Sequence, residues 1–159
     1  MFPTVAILGA AGPTGQALAT HIAGHSCSLR LFDLDEAGAE QLAQQLKHAA
    51  PHADVEALGC PATASWEADL IVLALPLAGQ VDAARQIAPY VTQKTVCSVG
   101  NATTSDLSAV LPVLAELRLV LPHSIIRTLS ITPVGMGCET LLRPSDILTL
   151  EQLLEQPTS

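Results

Sequence analysis

Apolar residues follow two rhythms along this chain. Short, nearly unbroken apolar runs end at Gly, Asp or Pro. Between them lie longer stretches whose apolar positions recur three and four residues apart. The runs predict strands at Thr4–Gly9, Ser28–Asp33, Asp54–Leu58, Leu70–Leu75 and Thr95–Val99. Leu70–Leu75 (LIVLAL) is apolar throughout, as suits a central parallel strand covered on both faces. The longer stretches predict helices. Pro13–Ala23 has Pro13 at the first helical position and Gly24 at the cap. Glu36–Ala49 puts Leu42 and Leu46 on one face and stops before Pro51, and Leu77–Ala88 closes at Pro89. Further on, Thr103 with Asp106 resembles a capping box. Pro112 is expected to break or kink the segment that follows. Leu117–Leu121 and Ile125–Ile131 read as two more strands, and Ser145 is placed to cap a last short helix ending near Gln156.

Strand and helix alternating at this spacing imply right-handed crossovers, hence a parallel sheet with helices on both faces. The expected fold class is α/β, a Rossmann-like, doubly wound, mostly parallel sheet in a single domain. That domain is expected to span 1–156, with 157–159 a frayed C-terminus. Its 159 residues suffice for one core, and 49% of them are hydrophobic, which argues against disorder. Aromatic residues make up only 3%, so Leu, Val, Ile and Ala must fill that core.

The densest chemical signal is VAILGAAGPTGQ, in which Gly9, Gly12 and Gly15 space a G-x-x-G-x-x-G between the first strand and the first helix. The first glycine permits the tight turn, the second lets backbone approach a diphosphate, and the third lets helix and sheet pack closely. The loop Gly9, Ala10, Ala11, Gly12, Pro13, Thr14, Gly15 would then seat a diphosphate on the helix N-terminus. Asp33 closes the second strand at the distance the fingerprint asks for. A carboxylate there accepts hydrogen bonds from ribose hydroxyls and repels a 2′-phosphate. Leu34, Asp35 and Glu36 follow, with no Arg or Lys among them. The expected cofactor is therefore NAD, with NADP less favoured. The alternative is that the glycines serve packing alone in an α/β domain that takes no nucleotide.

VAILGAAGPTGQAL with LFDLDE resembles the coenzyme loop of malate dehydrogenases over the first third of the chain. The middle, DLIVLALPLAGQVDAARQIAPYVTQKTVCSVGN, resembles the superfamily of pyrroline-5-carboxylate reductase, prephenate dehydrogenase and deazaflavin-dependent NADP reductases. The resemblance lies in the acid-led apolar strand Asp69–Leu75 and its Leu75-Pro76 turn. Arg127, Thr132, Pro133, Gly135 and Gly137 match the reductase motif, whereas Ser130 and Ile131 stand where that family has Pro-Asn. Leu121-Pro122-His123 is similar to the His-containing strand of prephenate dehydrogenases, with Ser124 where Pro is usual. The resemblance implies an oxidoreductase, or its coenzyme domain, transferring hydride to a small carbonyl or imine substrate. Members of that superfamily continue into a helical domain that dimerises and completes the substrate pocket. Beside this stands a non-catalytic NAD(H)-binding sensor or accessory interaction domain.

Ligands of open α/β sheets bind beyond the carboxyl ends of the strands. Leu75 and Pro76, with the turn to Gln80, and Gly100 and Asn101, within the turn Ser98–Thr104, are therefore candidates to flank ribose and nicotinamide. Asn101 serves equally as a turn former. His123 is a candidate proton donor near neutral pH, against the more common role of a satisfied surface histidine. Tyr90 and Lys94 reproduce a Tyr-x-x-x-Lys spacing, but in a connection at the wrong end of the sheet. His21 and His25 straddle a probable helix end, and no metal site is expected. Trp66 is expected to cover an edge of the core. Cys27, Cys60, Cys97 and Cys138 show no C-x-x-C and read as free thiols.

The formal net charge of −8 disfavours nucleic acid, and no basic cluster interrupts it. No basic leader precedes the first strand and no apolar run reaches about 18 residues, so a cytoplasmic protein without a membrane span is expected. The expected partners are a nicotinamide dinucleotide and a small-molecule substrate. An apolar C-terminal stretch such as Leu117–Leu142 wants cover, which a homodimer would provide.

Overall fold

The computed structural model describes residues 4–23, 28–101 and 107–131. Six strands and five α-helices alternate along them. The strands are β1 (Thr4–Leu8), β2 (Ser28–Phe32), β3 (Val55–Ala57), β4 (Leu70–Leu73), β5 (Thr95–Asn101) and β6 (Ile125–Ile131). The helices are α1 (Pro13–Ala23), α2 (Glu36–Ala49), α3 (Pro61–Glu67), α4 (Leu77–Ile87) and α5 (Leu107–Val120), with a single 3₁₀ turn at Ala88–Tyr90. The strands form one sheet in the order β3-β2-β1-β4-β5-β6, and every pairing is parallel.

Strand alternation divides the core into two layers. Val5, Ile7, Leu29, Leu31, Leu70, Val72, Cys97 and Val99 face α1 and α2, where Leu18, Ile22, Leu42 and Leu46 meet them. Ala6, Leu8, Ile71, Leu73 and Val96 face the other way, onto Ala64, Ala83, Ala84, Ile87, Leu117 and Leu121 of the α3–α5 side. Two covered faces explain why β1 and β4 carry no polar residue beyond the half-buried Thr4. Chain order reverses between β1 and β4, so the crevice of the fold opens there, beyond their carboxyl ends.

Three expectations change. Leu117–Leu121 is not a strand: Leu117 to Val120 form the last turn of α5, and Leu121 follows it. Val113, Leu114, Leu117, Val120 and Leu121 recur at helical spacing and pack onto the sheet, which decides between the two readings of a short apolar run. Of the break or kink expected at Pro112, the break does not occur: the proline lies inside that helix. Proline removes one hydrogen bond to the carbonyl four residues back, and here the burial of the following turns outweighs that loss. The third change is α3, a seven-residue helix that starts at Pro61 after the extended Cys60. Its apolar content was too thin for a periodicity to register. β3 covers only Val55–Ala57 of the predicted Asp54–Leu58.

Gly24, the Thr103–Asp106 capping box, the Thr132–Gly137 motif, the Ser145 helix and the frayed 157–159 lie outside the described residues. Among the described residues, no helix is long and apolar enough to cross a membrane, and no group of His, Cys, Asp and Glu is arranged to hold a metal.

Candidate functional site

The turn from β1 into α1 is bound to its surroundings almost atom by atom. Gly9 has φ +91°, a left-handed conformation that glycine adopts without steric cost. The Gly9 and Ala10 amides both donate to the Phe32 carbonyl at the end of β2, at 2.8 and 3.1 Å. The Gly12 amide donates to the Gly9 carbonyl at 3.3 Å, and the Gln16 amide opens the helix by donating to the Gly12 carbonyl at 2.9 Å. Gly12 is thus the cap residue and Pro13 the first helical residue. Proline has no N–H, and the N–H groups of Thr14 and Gly15 have no acceptor within the helix they begin.

Each glycine has its own spatial reason. A Cβ at Gly15 would lie 2.2 Å from the Gly9 carbonyl oxygen and 2.8 Å from the Ala10 Cα, so the third glycine lets helix and loop interlock. A Cβ at Gly9 would lie 3.0 Å from the backbone of Ala74 and Leu75, so the first lets the loop press on the turn after β4. Among the described residues, a Cβ at Gly12 would meet only the Gly9 carbonyl oxygen, at 3.6 Å. Packing within the protein does not demand glycine at that position, and the space beside it is open to a ligand.

Asp33 is built into this loop. Its Oδ2 accepts from the Ala11 amide at 2.9 Å and its Oδ1 from the Asp35 amide at 2.9 Å. Asp35 in turn caps α2 by accepting from the Gly38 amide at 3.1 Å, and a Cβ on Gly38 would lie 2.9 Å from the Ala11 Cβ. Gln16 holds the other side of the same peptide segment, its Nε2 donating to the Ala11 carbonyl at 2.8 Å. A carboxylate has about four acceptor positions, so Asp33 can keep both amides and still receive ribose hydroxyls. Leu34, beside it, is 89% exposed, a large apolar side chain left in water at the carboxyl edge of the sheet.

Leu75 and Pro76 form the β4–α4 turn, and Pro76 is the residue before α4. Gly100 and Asn101 are the last residues of β5, paired with Ser130 and Ile131 of β6, rather than the free turn expected after Val99. The structure therefore places the glycine loop, Asp33, Leu34, Leu75, Pro76, Gly100 and Asn101 at one edge of the sheet. It places His123 at the other. His123 is exposed in the turn before β6, and its carbonyl accepts from the Gln93 amide at 2.8 Å just ahead of β5. The reading of His123 as following a strand fails with that strand, because the segment before it is the end of α5.

Lys94 is at that amino edge as well. Its Nζ donates to the Ser65 and Trp66 carbonyls at 3.0 and 2.5 Å, at the last turn of α3, where a cation complements the helix dipole. Burial lowers its pKa, and Asp69 opposes the shift. Trp66 is 68% exposed there, so it covers no core edge.

Sequence reasoning missed one feature. Gln80 of α4 is fully buried with Ser98 of β5. Its Nε2 donates to the carbonyls of Leu75 and Val99, each at 2.9 Å, and lies 3.3 Å from that of Leu73, while Ser98 Oγ donates to its Oε1 at 2.5 Å. The signal was available: Gln80 shares a helical face with Ala83, Ala84 and Ile87, so a polar residue occupies a core position.

A sheet in this order, with a glycine turn at the head of the first helix and an acid after the second strand, leaves one architecture. The chain has a Rossmann-like fold. Solved structures with this fold include an imine reductase variant from Myxococcus stipitatus in complex with NAD+, with a TM-score of 0.62 at 16% identity, covering 86% of this chain and 42% of that one. A betaketoacyl-ACP reductase from Bacteroides thetaiotaomicron gives 0.65 at 16% identity, covering 99% and 93%. A lactate dehydrogenase from Eimeria maxima with NADH and oxamate gives 0.64 at 14% identity, covering 86% and 44%. This chain thus spans less than half the length of the first and third. No family model and no curated protein matches it. Structures of this fold hold NADPH and NADP+ as well as NAD+ and NADH.

Proposed function

We propose that this Rossmann-like chain binds NAD(H) across the crevice between β1 and β4 and acts as a hydride-transfer oxidoreductase, or its coenzyme domain, on a small carbonyl or imine. The observation that carries the reading is the pairing of the open Gly12 position with Asp33, whose carboxylate both shapes the loop and keeps acceptor capacity for a ribose. The N–H groups of Thr14 and Gly15 would receive the diphosphate, with the start of α1 contributing its dipole. Asp33 would accept the adenosine ribose hydroxyls and repel a 2′-phosphate, which favours NAD over NADP. Leu34 would cover one face of the adenine. Leu75, Pro76, Gly100 and Asn101 would line the nicotinamide half. The bound coenzyme supplies the hydride, and the protein orients it and excludes water.

A second reading, a non-catalytic NAD(H)-binding sensor or accessory domain, is favoured by one observation. Among the described residues at the carboxyl ends of β4, β5 and β6, none has a side chain that titrates near neutral pH, and His123 is at the opposite edge. NADH oxidation followed optically across a panel of small aldehydes, ketones and imines separates the two. Turnover of any substrate supports the oxidoreductase. NADH binding without turnover across the panel supports the sensor, and absence of both sinks the two together.

A further inference from the structure

We infer that Gln80, with Ser98, is the positioning residue for the nicotinamide half of the cleft. The inference rests on the coenzyme reading above and assigns a task to a pair of residues that reading does not use. Gln80 occupies the first turn of α4, on the face that otherwise carries Ala83, Ala84 and Ile87, all buried against the sheet. An apolar side chain would satisfy packing there. A buried amide is costly unless both of its ends are paired, and here both are. The Nε2 hydrogens go to carbonyls on two different strand ends: Leu75, past the end of β4, and Val99, near the end of β5. The Oε1 takes the Ser98 hydroxyl, which fixes the amide in that orientation. A fully paired buried network of this kind holds one arrangement of its neighbours.

The neighbours it holds are the two walls of the crevice. Leu75 and Pro76 form the β4–α4 turn, and Gly100 and Asn101 follow Val99 directly. The turn is also the surface on which the glycine loop rests, since the Gly9 position approaches the Ala74 and Leu75 backbone so closely that a Cβ would lie at 3.0 Å. Gln80 therefore sets the spacing between the β4 turn and the end of β5, the gap into which a nicotinamide riboside would pass. Asp33 and the N-terminus of α1 lie on the other side of β1 and take no bond from it.

Two ligands separate the halves. NADH carries both, and ADP lacks the whole nicotinamide riboside. Their affinities are measured by calorimetry for the wild-type chain, Gln80→Met, which keeps the length and removes the amide, and Ser98→Ala, which removes one bond. Gln80→Met is expected to weaken NADH about tenfold while ADP changes by less than about twofold. The nicotinamide fluorescence of the residual NADH complex is expected to shift toward that of the free coenzyme. Ser98→Ala is expected to move the same ratio in the same direction by less, and it decides alone if Gln80→Met does not fold. Equal losses for both ligands, or no loss, overturn the positioning role. A wild-type chain that binds neither ligand overturns the coenzyme reading and this inference with it.

Discussion

A methyl group added at Gly15 and one added at Gly12 separate the two roles of the glycine loop. At Gly15 the new Cβ would stand 2.2 Å from the Gly9 carbonyl oxygen, 2.8 Å from the Ala10 Cα and 3.0 Å from the Ala10 carbonyl carbon. All three are backbone atoms, so no side chain can swing aside. Relief to 3.0 Å requires helix and loop to part by about 0.8 Å, and the amides of Gly9 and Ala10 that bond Phe32 lie on the segment that must move. Overpacking of this kind costs about 1–3 kcal/mol, and rigid backbone neighbours put Gly15→Ala near the top of that range. For a chain of this size, about 3 kcal/mol lowers Tm by roughly 6–12 °C. Gly12→Ala meets, among the described residues, only the Gly9 carbonyl oxygen at 3.6 Å, an ordinary contact. Its stability cost is that of replacing a glycine helix cap by alanine, below about 1 kcal/mol. Its methyl occupies the space a diphosphate would need, so NADH affinity should fall about tenfold or more. Thermal unfolding without ligand, followed by NADH titration at a temperature where both variants are folded, reads the two effects apart. Gly15→Ala melting with the wild type, or Gly12→Ala titrating NADH like the wild type, would refute this assignment of roles.

Four further outcomes follow from the same geometry. Asp33→Ala removes the acceptor of the Ala11 and Asp35 amides, so it should cost about 1–2 kcal/mol in urea unfolding and, with the 2′ position no longer guarded, narrow the gap between NADH and NADPH affinity. Burial pushes the Cys97 thiol up to about 12, above its ordinary value of 9.0. A raised folded-state value means its contribution is full below about pH 9 and is lost as pH rises toward 12, with a slope of up to ~1.4 kcal/mol per pH unit that Cys97→Ala should flatten. Under native conditions Cys97 should resist alkylation, whereas exposed Cys60, its pKa lowered by hydrogen bonds from the backbone of Thr63 and Ala62, should be labelled readily, as peptide mass spectrometry will show. Finally, Arg30 bonds Glu67 and Asp54 at 2.8 and 3.2 Å, and its hydrogen bond is the main reason the Asp54 carboxyl lies below its ordinary value. That contribution is present above about pH 4 and lost as pH falls. Arg30→Met should therefore flatten the acid limb of the stability profile, by about 1 kcal/mol or less because the carboxylates are half in water.

What could be read from the chain alone divides along physical lines. Strands covered on both faces, such as β1 and β4, announce themselves because burial forces every position to be apolar. The glycine loop was legible because its three glycines answer to three different steric demands, two of which the backbone geometry now states in ångströms. Asp33 was legible as a position, but its grip on the Ala11 amide was not, because a hydrogen bond across 22 residues leaves no local pattern. Leu117–Leu121 was misread because four apolar residues around Arg118 fit either period, and Val113 and Leu114, directly after Pro112, carry the helical phase. The short α3 has too few turns for any rhythm. His123 was placed at the wrong edge as a direct consequence of the first error: a helix in place of a strand sends the following turn to the opposite end of the sheet. Gln80 was visible as a polar residue on an apolar face, but its partners come from two strand ends that only the folded sheet brings together.

The central claim is that the loop and Asp33 together bind a nicotinamide dinucleotide and discriminate at the 2′ position. Calorimetric titration of the wild-type chain with NADH and, separately, with NADPH tests both halves of that statement. Saturable NADH binding is expected, with NADPH at least about tenfold weaker. Equal or tighter NADPH binding would contradict the role given to Asp33, and binding of neither would contradict the coenzyme site itself.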